Sequence, residues 1–319
     1  MFSTGITIIA ASYALALALE VSRLFFRSGV RGVVMLACGA AGLAVHTWYL
    51  AYRASAVPAS PLSSIFDWYL VAAWLLSVAY LYLTYHYPRA VVGLFVLPLV
   101  LLLIVAAATL ADREPFAREP AWRVWGAIHG VFLLLGTVTV MVGFVAGVMY
   151  LIQSSRLKRR RPPLERFRFP SLERLEKVNS RVIVLSAILI AVGFVAGIIL
   201  RLVAEPRGAR LPWSDPVVWS SGIMLCWLIA AAGFNLIYRP ARQGRKVAYL
   251  TVASFGFLAF ALAIFLLVDT EHAPERLENR RSPTSARGAA EEVAVTLTAR
   301  RPSANRAAVL PAGRGGGGA

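Results

Sequence analysis

Histidine is the residue type in this sequence best suited to chemistry, and it occurs at His46, His86, His129 and His272. Neutral imidazole binds transition metals through one ring nitrogen, and an ionisable residue within an apolar segment is a functional candidate by default. A lone histidine among packed helices can also do no more than hydrogen-bond a neighbouring helix. All except His86 fall toward one predicted side of the apolar segments, so His46, His129 and His272 are candidate ligands.

Tryptophans cluster between His129 and His272. The stretch PWSDPVVW contains Trp213, Asp215 and Trp219. Tryptophan is enriched at membrane interfaces, which is a sufficient explanation for one such residue at a helix end. Several aromatic faces near paired imidazoles also suit a metalloporphyrin, which needs a stacking surface and axial nitrogen ligands. The cluster therefore indicates a porphyrin-binding site.

Sequence motifs for other chemistry do not occur. The chain has no H-E-x-x-H, phosphate-binding loop or nucleophile elbow. Its two cysteines, Cys38 and Cys226, lie in apolar runs and form no C-x-x-C-H, so neither covalent haem attachment nor thioredoxin-like chemistry is indicated. The residues favour a component that binds and presents a ligand over an enzyme acting alone.

The composition indicates the scaffold that must position these residues. Of the 319 residues 58% are apolar and 15% are charged, and the mean hydropathy is +0.66. An average soluble domain has about 25% charged residues. These values exclude a soluble globular enzyme and a disordered protein, and they favour a protein that crosses a membrane several times.

Eight apolar stretches are long enough to cross a bilayer, which takes about 20 helical residues. They are apolar on every face and lack the two-residue alternation of a membrane barrel, so they predict helices. The sequence thus predicts an all-α polytopic membrane domain over residues 1–270, with helices at about 4–22, 32–52, 66–86, 90–111, 124–152, 182–201, 216–238 and 247–268.

The distribution of Lys and Arg predicts the orientation of these helices. With the N-terminus outside, the loops on the cytoplasmic side carry 18 Lys and Arg, and the loops on the outer side carry 7. Because cytoplasmic loops are rich in these residues, we predict that both termini face outward from a cytoplasmic (inner) membrane. This orientation places His129, His272 and the tryptophan cluster at the outer side.

Basic residues give the chain a net charge of +17. Four of them, Lys158–Arg161, are consecutive in the loop after the fifth segment, where they would attract anionic lipid headgroups. No nucleic-acid recognition motif accompanies them, so nucleic-acid binding is not predicted. Residues 271–319 are rich in Ala, Arg and Gly and predict a disordered tail.

Two further patterns bear on how the helices are built. The stretch PSLERLEKVNSR, after Pro170, predicts a short amphipathic helix before the sixth segment. Gly143 and Gly147, and then Gly193 and Gly197, form two G-x-x-x-G pairs. Small residues one turn apart let helix backbones approach closely, so these pairs predict helix contacts.

Several longer stretches carry a family resemblance: HTWYL, PLSSIFDWYLVAAWLLSVAYLYL, WRVWGAIHGVFLLLGTVTVMVGF, FPSLERLEKVNSR and LPWSDPVVWSSGIMLCW. Over about residues 40–270 the chain resembles the cytochrome c assembly membrane proteins of the CcsA, CcmC and HemX-like superfamily. The resemblance implies a component of c-type cytochrome biogenesis that binds haem b and presents it on the outer face. It also implies apocytochrome c and a second cytochrome assembly membrane protein as partners.

The resemblance assigns roles to individual residues. His129 matches the family histidine that precedes the tryptophan-rich segment, and His272 is the candidate for the one that follows it, which makes both candidate axial ligands of haem iron. Trp213, Asp215 and Trp219 match what remains of the family pattern W-x-W-D-P-K-E-x-W. His46 is a candidate for a deeper haem relay or for a structural residue.

The sequence departs from the family pattern at three positions. Val217 and Val218 stand where the family has Lys and Glu, and Asn235 stands where it tends to have a membrane histidine. These departures leave open a second hypothesis, a HemX-like scaffold or regulator without haem transfer. A third, a small-solute transporter, draws on the polytopic fold alone and lacks the expected inverted repeats.

Overall fold

The computed structural model describes residues 2–22, 25, 29–56, 64–87, 90–111, 113, 123–159, 169–204, 215–237 and 245–267. The regular elements in these ranges are eight α-helices, which confirms the predicted all-α fold. The helices are α1 (Phe2–Ser22), α2 (Gly29–Ala56), α3 (Ile65–His86), α4 (Gly93–Thr109), α5 (Arg123–Lys158), α6 (Leu172–Ala204), α7 (Pro216–Ile237) and α8 (Arg245–Leu267).

Seven of the described helices are long and apolar enough to cross a membrane, and the protein is a multi-pass membrane protein. The exception is α4, which has 17 residues and is bounded by turns. At 1.5 Å per residue it is about 26 Å long, slightly less than the roughly 30 Å of a hydrocarbon core. The predicted span at 90–111 is therefore shortened at both ends.

The predicted bounds are most in error at α5 and α6. The 36 residues of α5 make a helix about 54 Å long, which exceeds the hydrocarbon thickness. The predicted separate amphipathic helix is wrong, because Leu172 begins α6 itself and the helix continues without a break. Its apolar side packs as predicted, since Leu175 is buried and Leu172 and Val178 contact the core.

Consecutive helices run antiparallel and form two groups of four. In the first group α1 and α3 each pack against α2 and α4, and in the second α5 and α7 each pack against α6 and α8. The groups meet mainly where α3 and α4 contact α5. Gly130 of α5 lies at this junction. Because glycine has no side chain, the Trp68 ring of α3 can occupy the space that a β-carbon would take.

Because consecutive helices are antiparallel, odd-numbered helices begin at one end of the bundle and even-numbered helices begin at the other. We call the Asp215 end the one at which α1, α3, α5 and α7 begin, and the Arg245 end the opposite one. Side chains at the Arg245 end include Arg156, Lys177 and Arg245, whose guanidinium donates hydrogen bonds to Ser154 and Ser155. The predicted orientation places the Arg245 end in the cytoplasm.

The glycine pairs form the helix contacts that their spacing predicts. A β-carbon at Gly143 would lie 2.6 Å from Val182 of α6, and one at Gly147 would lie 3.1 Å from the Ala248 carbonyl oxygen of α8. A β-carbon at Gly193 would lie 2.8 Å from Leu133 of α5. Both G-x-x-x-G pairs are therefore confirmed as packing motifs.

Candidate functional site

His129 lies about two turns inside α5 and faces α6. Its Nδ1 is 2.7 Å from the backbone carbonyl oxygen of Gly193. The approach depends on Gly197, one turn further along α6, because a β-carbon there would lie 2.6 Å from the same Nδ1 atom. The second G-x-x-x-G pair thus provides both the space and the hydrogen-bond acceptor for this histidine.

This hydrogen bond determines which ring nitrogen can bind a metal. A carbonyl oxygen only accepts hydrogen bonds, so Nδ1 of His129 must donate. In the neutral imidazole the proton is then on Nδ1, and Nε2 has the lone pair. Metal-binding histidines commonly donate their other N–H to a backbone carbonyl, which fixes the ring orientation and makes the ligand more basic. The observed geometry therefore suits an axial Nε2 ligand.

Asp215 precedes α7 and caps it. The carboxylate is buried and accepts a hydrogen bond of 2.8 Å from the backbone N–H of Val217. Its backbone carbonyl accepts the N–H of Trp219 at 3.2 Å. Asp is favoured as an N-cap and Pro216 is favoured in the first turn, so this local sequence begins the helix. Asp215 thereby fixes where α7 begins, four residues before Trp219.

The tryptophans of α7 differ in their surroundings. Trp219 is 64% exposed at the Asp215 end, where its ring is accessible to a ligand or to lipid. Trp227 lies two turns deeper, donates a hydrogen bond of 3.0 Å to Ser254 and stacks on Phe257, with ring centroids 4.8 Å apart. Trp219 therefore remains a candidate platform, whereas Trp227 joins α7 to α8.

His46 lies in the first helix group, away from the α5–α6 contact. It is fully buried, and its Nδ1 is 3.3 Å from the Tyr13 hydroxyl of α1. The structure does not place His46 beside His129, because α2 packs mainly on α1 and α3, whereas His129 lies where α5 contacts α6. Two other predicted site residues, Trp213 and His272, lie outside the described residues, as does the predicted tail at 271–319.

Asn235 stands where the family pattern has a membrane histidine, and its side chain is hydrogen-bonded to Ser180 of α6. Ser180 Oγ donates to its Oδ1 at 3.1 Å, and its Nδ2 donates to the Ser180 carbonyl oxygen at 3.2 Å. The residue is buried near the Arg245 end of α7. Asn235 therefore joins two helices.

We expect Asn235→Ala to lower the stability of the protein by about 1–3 kcal/mol, because the partly buried Ser180 loses its hydrogen bonds to Asn235. Thermal unfolding in detergent measures the change. A double-mutant cycle with Ser180→Ala tests the cause, since removal of a shared interaction makes the two effects less than additive. Strictly additive effects would contradict a direct Ser180–Asn235 interaction.

Sequence comparison matches residues 62–270 to the family described as Cytochrome C assembly protein. The chain belongs to the cytochrome c assembly protein family. It is 23% identical over 235 residues to the cytochrome c biogenesis protein CcsA of Prochlorococcus marinus (strain MIT 9312), covering 66% of this chain and 74% of that protein. It is 23% identical over 254 residues to CcsA of Synechococcus sp. (strain RCC307), covering 71% and 79% respectively. No solved structure matches this cytochrome c assembly protein.

The family match does not cover the whole membrane domain of this cytochrome c assembly protein. It begins at residue 62 and therefore includes the segments of α3 to α8, with His129, Asp215 and Trp219. The helices α1 and α2, and with them His46, precede the matched residues. The part of the domain that is shared with the family thus contains the whole second helix group.

Sequence reasoning missed an ion pair between α2 and α3. Arg53 Nε donates to Asp67 Oδ1 at 2.7 Å, and both side chains are buried. Asp67 Oδ2 also accepts the Ser64 N–H, and Ser64 Oγ accepts the Asp67 N–H, each at 3.3 Å. This is a capping box, and its S-x-x-D spacing in SSIFD was the available signal. Arg53 is one of the seven Lys and Arg that the sequence places in loops on the outer side, but in the structure it lies within α2.

Proposed function

We propose that this protein binds haem b at the Asp215 end and presents it on the outer face of the cytoplasmic membrane for attachment to apocytochrome c. The observation that carries the proposal is the His129–Gly193 hydrogen bond, which orients the ring and makes Nδ1 the donor, an arrangement that is common in metal-binding histidines. Membership of the cytochrome c assembly family supports a role in cytochrome c biogenesis, and relatives are named cytochrome c biogenesis protein CcsA.

In this proposal the chain binds and orients haem and does not itself form the covalent bonds that attach haem to the apocytochrome. His129 supplies one axial nitrogen, and His272 is the proposed second ligand. Trp213 and Trp219 provide the stacking surface, and Asp215 positions Trp219 through the cap of α7. Haem iron takes axial nitrogen ligands when bound, and the porphyrin supplies the aromatic plane.

Other parts of the chain have proposed roles around this site. His46, which is buried in the first helix group, is the proposed deeper haem relay. The basic run Lys158–Arg161 is proposed to contact anionic lipid, and Arg156 adds charge at the same end. A second cytochrome assembly membrane protein is the proposed partner for transfer to apocytochrome c.

Purification from haem-replete cells tests this function. We expect a Soret absorption band for the wild-type protein and at least a tenfold loss of bound haem for His129→Ala, because the axial ligand is removed. His86→Ala is the matched control, since His86 is exposed at the far end of α3 and its Nδ1 is hydrogen-bonded to the Tyr82 carbonyl oxygen of its own helix. A wild-type protein without the band, or an unchanged band in His129→Ala, contradicts the proposal.

A scaffold or regulator without haem transfer is the second candidate function. The observation that favours it is the Asn235–Ser180 pair, in which the expected histidine position serves helix packing. Normal c-type cytochrome levels together with a haem-free purified protein would support this candidate over the first.

A further inference from the structure

One face of α5 changes from apolar to basic near the Arg245 end of the bundle. An open groove of about 360 Å³ on this face is lined by Leu151, Ile152, Ser155, Arg156 and Arg159. These positions recur every three or four residues, and residues at that spacing are neighbours on a helix surface. The groove therefore joins an apolar wall to two guanidinium groups.

A third guanidinium group reaches this groove from α8. Arg245 Nε donates a hydrogen bond of 2.9 Å to Ser154 Oγ, and Arg245 Nη2 donates one of 2.6 Å to Ser155 Oγ. Because Ser155 lines the groove, these bonds place Arg245 at its edge. Both acceptors are neutral, and Arg245 forms no ion pair with another residue that the structure describes. The two serines thus orient this guanidinium without neutralising its charge.

The groove lies where α5 leaves its apolar segment. Leu151 and Ile152 end the long apolar run, and Arg156 follows four residues later, about 6 Å further along the helix. Since α5 is longer than a hydrocarbon core is thick, its basic end extends to the level of the lipid headgroups. Arginine side chains near helix ends reach toward that level. The apolar wall and the guanidinium groups therefore match the acyl chains and the phosphate of a phospholipid.

The charges around the groove favour an anionic ligand. The described stretches of α5, α6 and α8 at this end, residues 150–159, 172–181 and 245–246, contain eight Lys and Arg and two Glu. One of the two, Glu173, is already paired with Lys177. A zwitterionic headgroup would bring a second cation into this excess of positive charge, whereas an anionic headgroup would not. The charge balance thus selects lipids with a net negative headgroup.

We propose that this groove binds the headgroup of one anionic phospholipid. The phosphate accepts hydrogen bonds from Arg156, Arg159 and Arg245, whose guanidinium groups suit the geometry of phosphate oxygens. The acyl chains lie along Leu151 and Ile152, and the bound lipid joins the end of α5 to the start of α8. Basic pockets between membrane helices are known sites for such headgroups. The inference rests on the proposed contact with anionic lipid, which it makes specific, and not on haem binding.

Native mass spectrometry of the full chain tests this site. The protein is purified in neutral detergent, depleted of lipid, and titrated with phosphatidylglycerol or with phosphatidylcholine of the same acyl chains. We expect one phosphatidylglycerol to bind about tenfold more tightly than phosphatidylcholine, as charge-assisted hydrogen bonds would give. Arg159→Ala should remove most of this preference, and because Arg159 is exposed, the variant should keep the helix packing. Arg245→Ala should lower the preference in the same direction.

Arg174→Ala is the matched control, because it removes the same side chain at the same end of the bundle from a different helix. Arg174 of α6 lies over the Tyr87 ring, with its guanidinium carbon 4.7 Å from the ring centroid. This variant should keep the full preference for phosphatidylglycerol. Inorganic phosphate is the second control. It has no acyl chains, so at equal concentration it should not displace the bound lipid.

Several results would overturn the groove site. Equal losses in Arg159→Ala and Arg174→Ala would show that the basic end attracts lipid as a whole. Displacement by inorganic phosphate at equal concentration would show an anion site that does not use the apolar wall. A dimer that Arg159→Ala dissociates would show a contact between copies of the chain. A wild type without preference contradicts both the groove and the proposed lipid contact. The Soret band is measured separately, so the failure of this inference is distinguishable from that of the proposed haem function.

Discussion

Gly197→Ala is expected to lower the affinity of the purified protein for haem by 10- to 100-fold. The added β-carbon would lie 2.6 Å from Nδ1 of His129, so the ring must move away from α6 and from the Gly193 carbonyl oxygen. Loss of a hydrogen bond that orients a metal ligand typically costs a factor of this size, roughly 10–100. Haem titration followed by absorbance measures the effect.

Gly256→Ala is the matched control for this substitution. Gly256 lies within α8, and a β-carbon there meets nothing within 4 Å. Since alanine is a better helix former than glycine, this variant should retain haem affinity and stability. Equal haem affinity in Gly197→Ala and the wild type would show that the α5–α6 contact does not position His129 for haem binding.

Asp67→Ala is expected to destabilise the protein by about 3–5 kcal/mol, the usual cost of removing one partner from a buried ion pair. Arg53 is 5% exposed and would lose the carboxylate that lies 2.7 Å from its Nε. The substitution also removes the capping box at the start of α3. The midpoint of thermal unfolding in detergent measures the loss.

Two further variants test whether this loss of stability comes from the buried ion pair or from the removal of a charge of any kind. Glu173→Ala removes an ion pair between two exposed side chains, Glu173 (78% exposed) and Lys177 (63% exposed), and should leave the stability essentially unchanged because solvent screens such pairs. The double variant Arg53→Ala, Asp67→Ala should be more stable than the sum of the two single changes predicts. Additive losses would contradict a direct buried pair.

The number of helices could be predicted because a membrane requires every span to be both apolar and helical. The bounds of α5 and α6 could not, because hydropathy detects only the part of a helix that contacts lipid. Beyond that part, residues such as Glu173 and Arg174 remain helical while being charged. The division into two groups of four also escaped prediction, since helices that are apolar on every face carry no sign of their neighbours.

For the site, the sequence singled out His129 but could not show what orients it. Its acceptor is the backbone carbonyl oxygen of Gly193, and a carbonyl has no residue-type signature. The G-x-x-x-G spacing predicted close helices without indicating that an imidazole occupies the gap at Gly197. The buried pair of Arg53 and Asp67 could not be predicted either, because the two residues lie 14 positions apart and belong to different helices.

The division into two groups of consecutive helices bears on how the chain is made. Each helix of the first group finds its packing partners among α1 to α4, all of which leave the ribosome before α5. Polar residues of α2 and α3 such as His46, Arg53 and Asp67 can therefore become buried, and Arg53 can pair with Asp67, before α5 is synthesised. Local packing of this kind favours rapid assembly. The first group can thus present the Trp68 face of α3 as a complete surface against which α5 and the rest of the second group then pack.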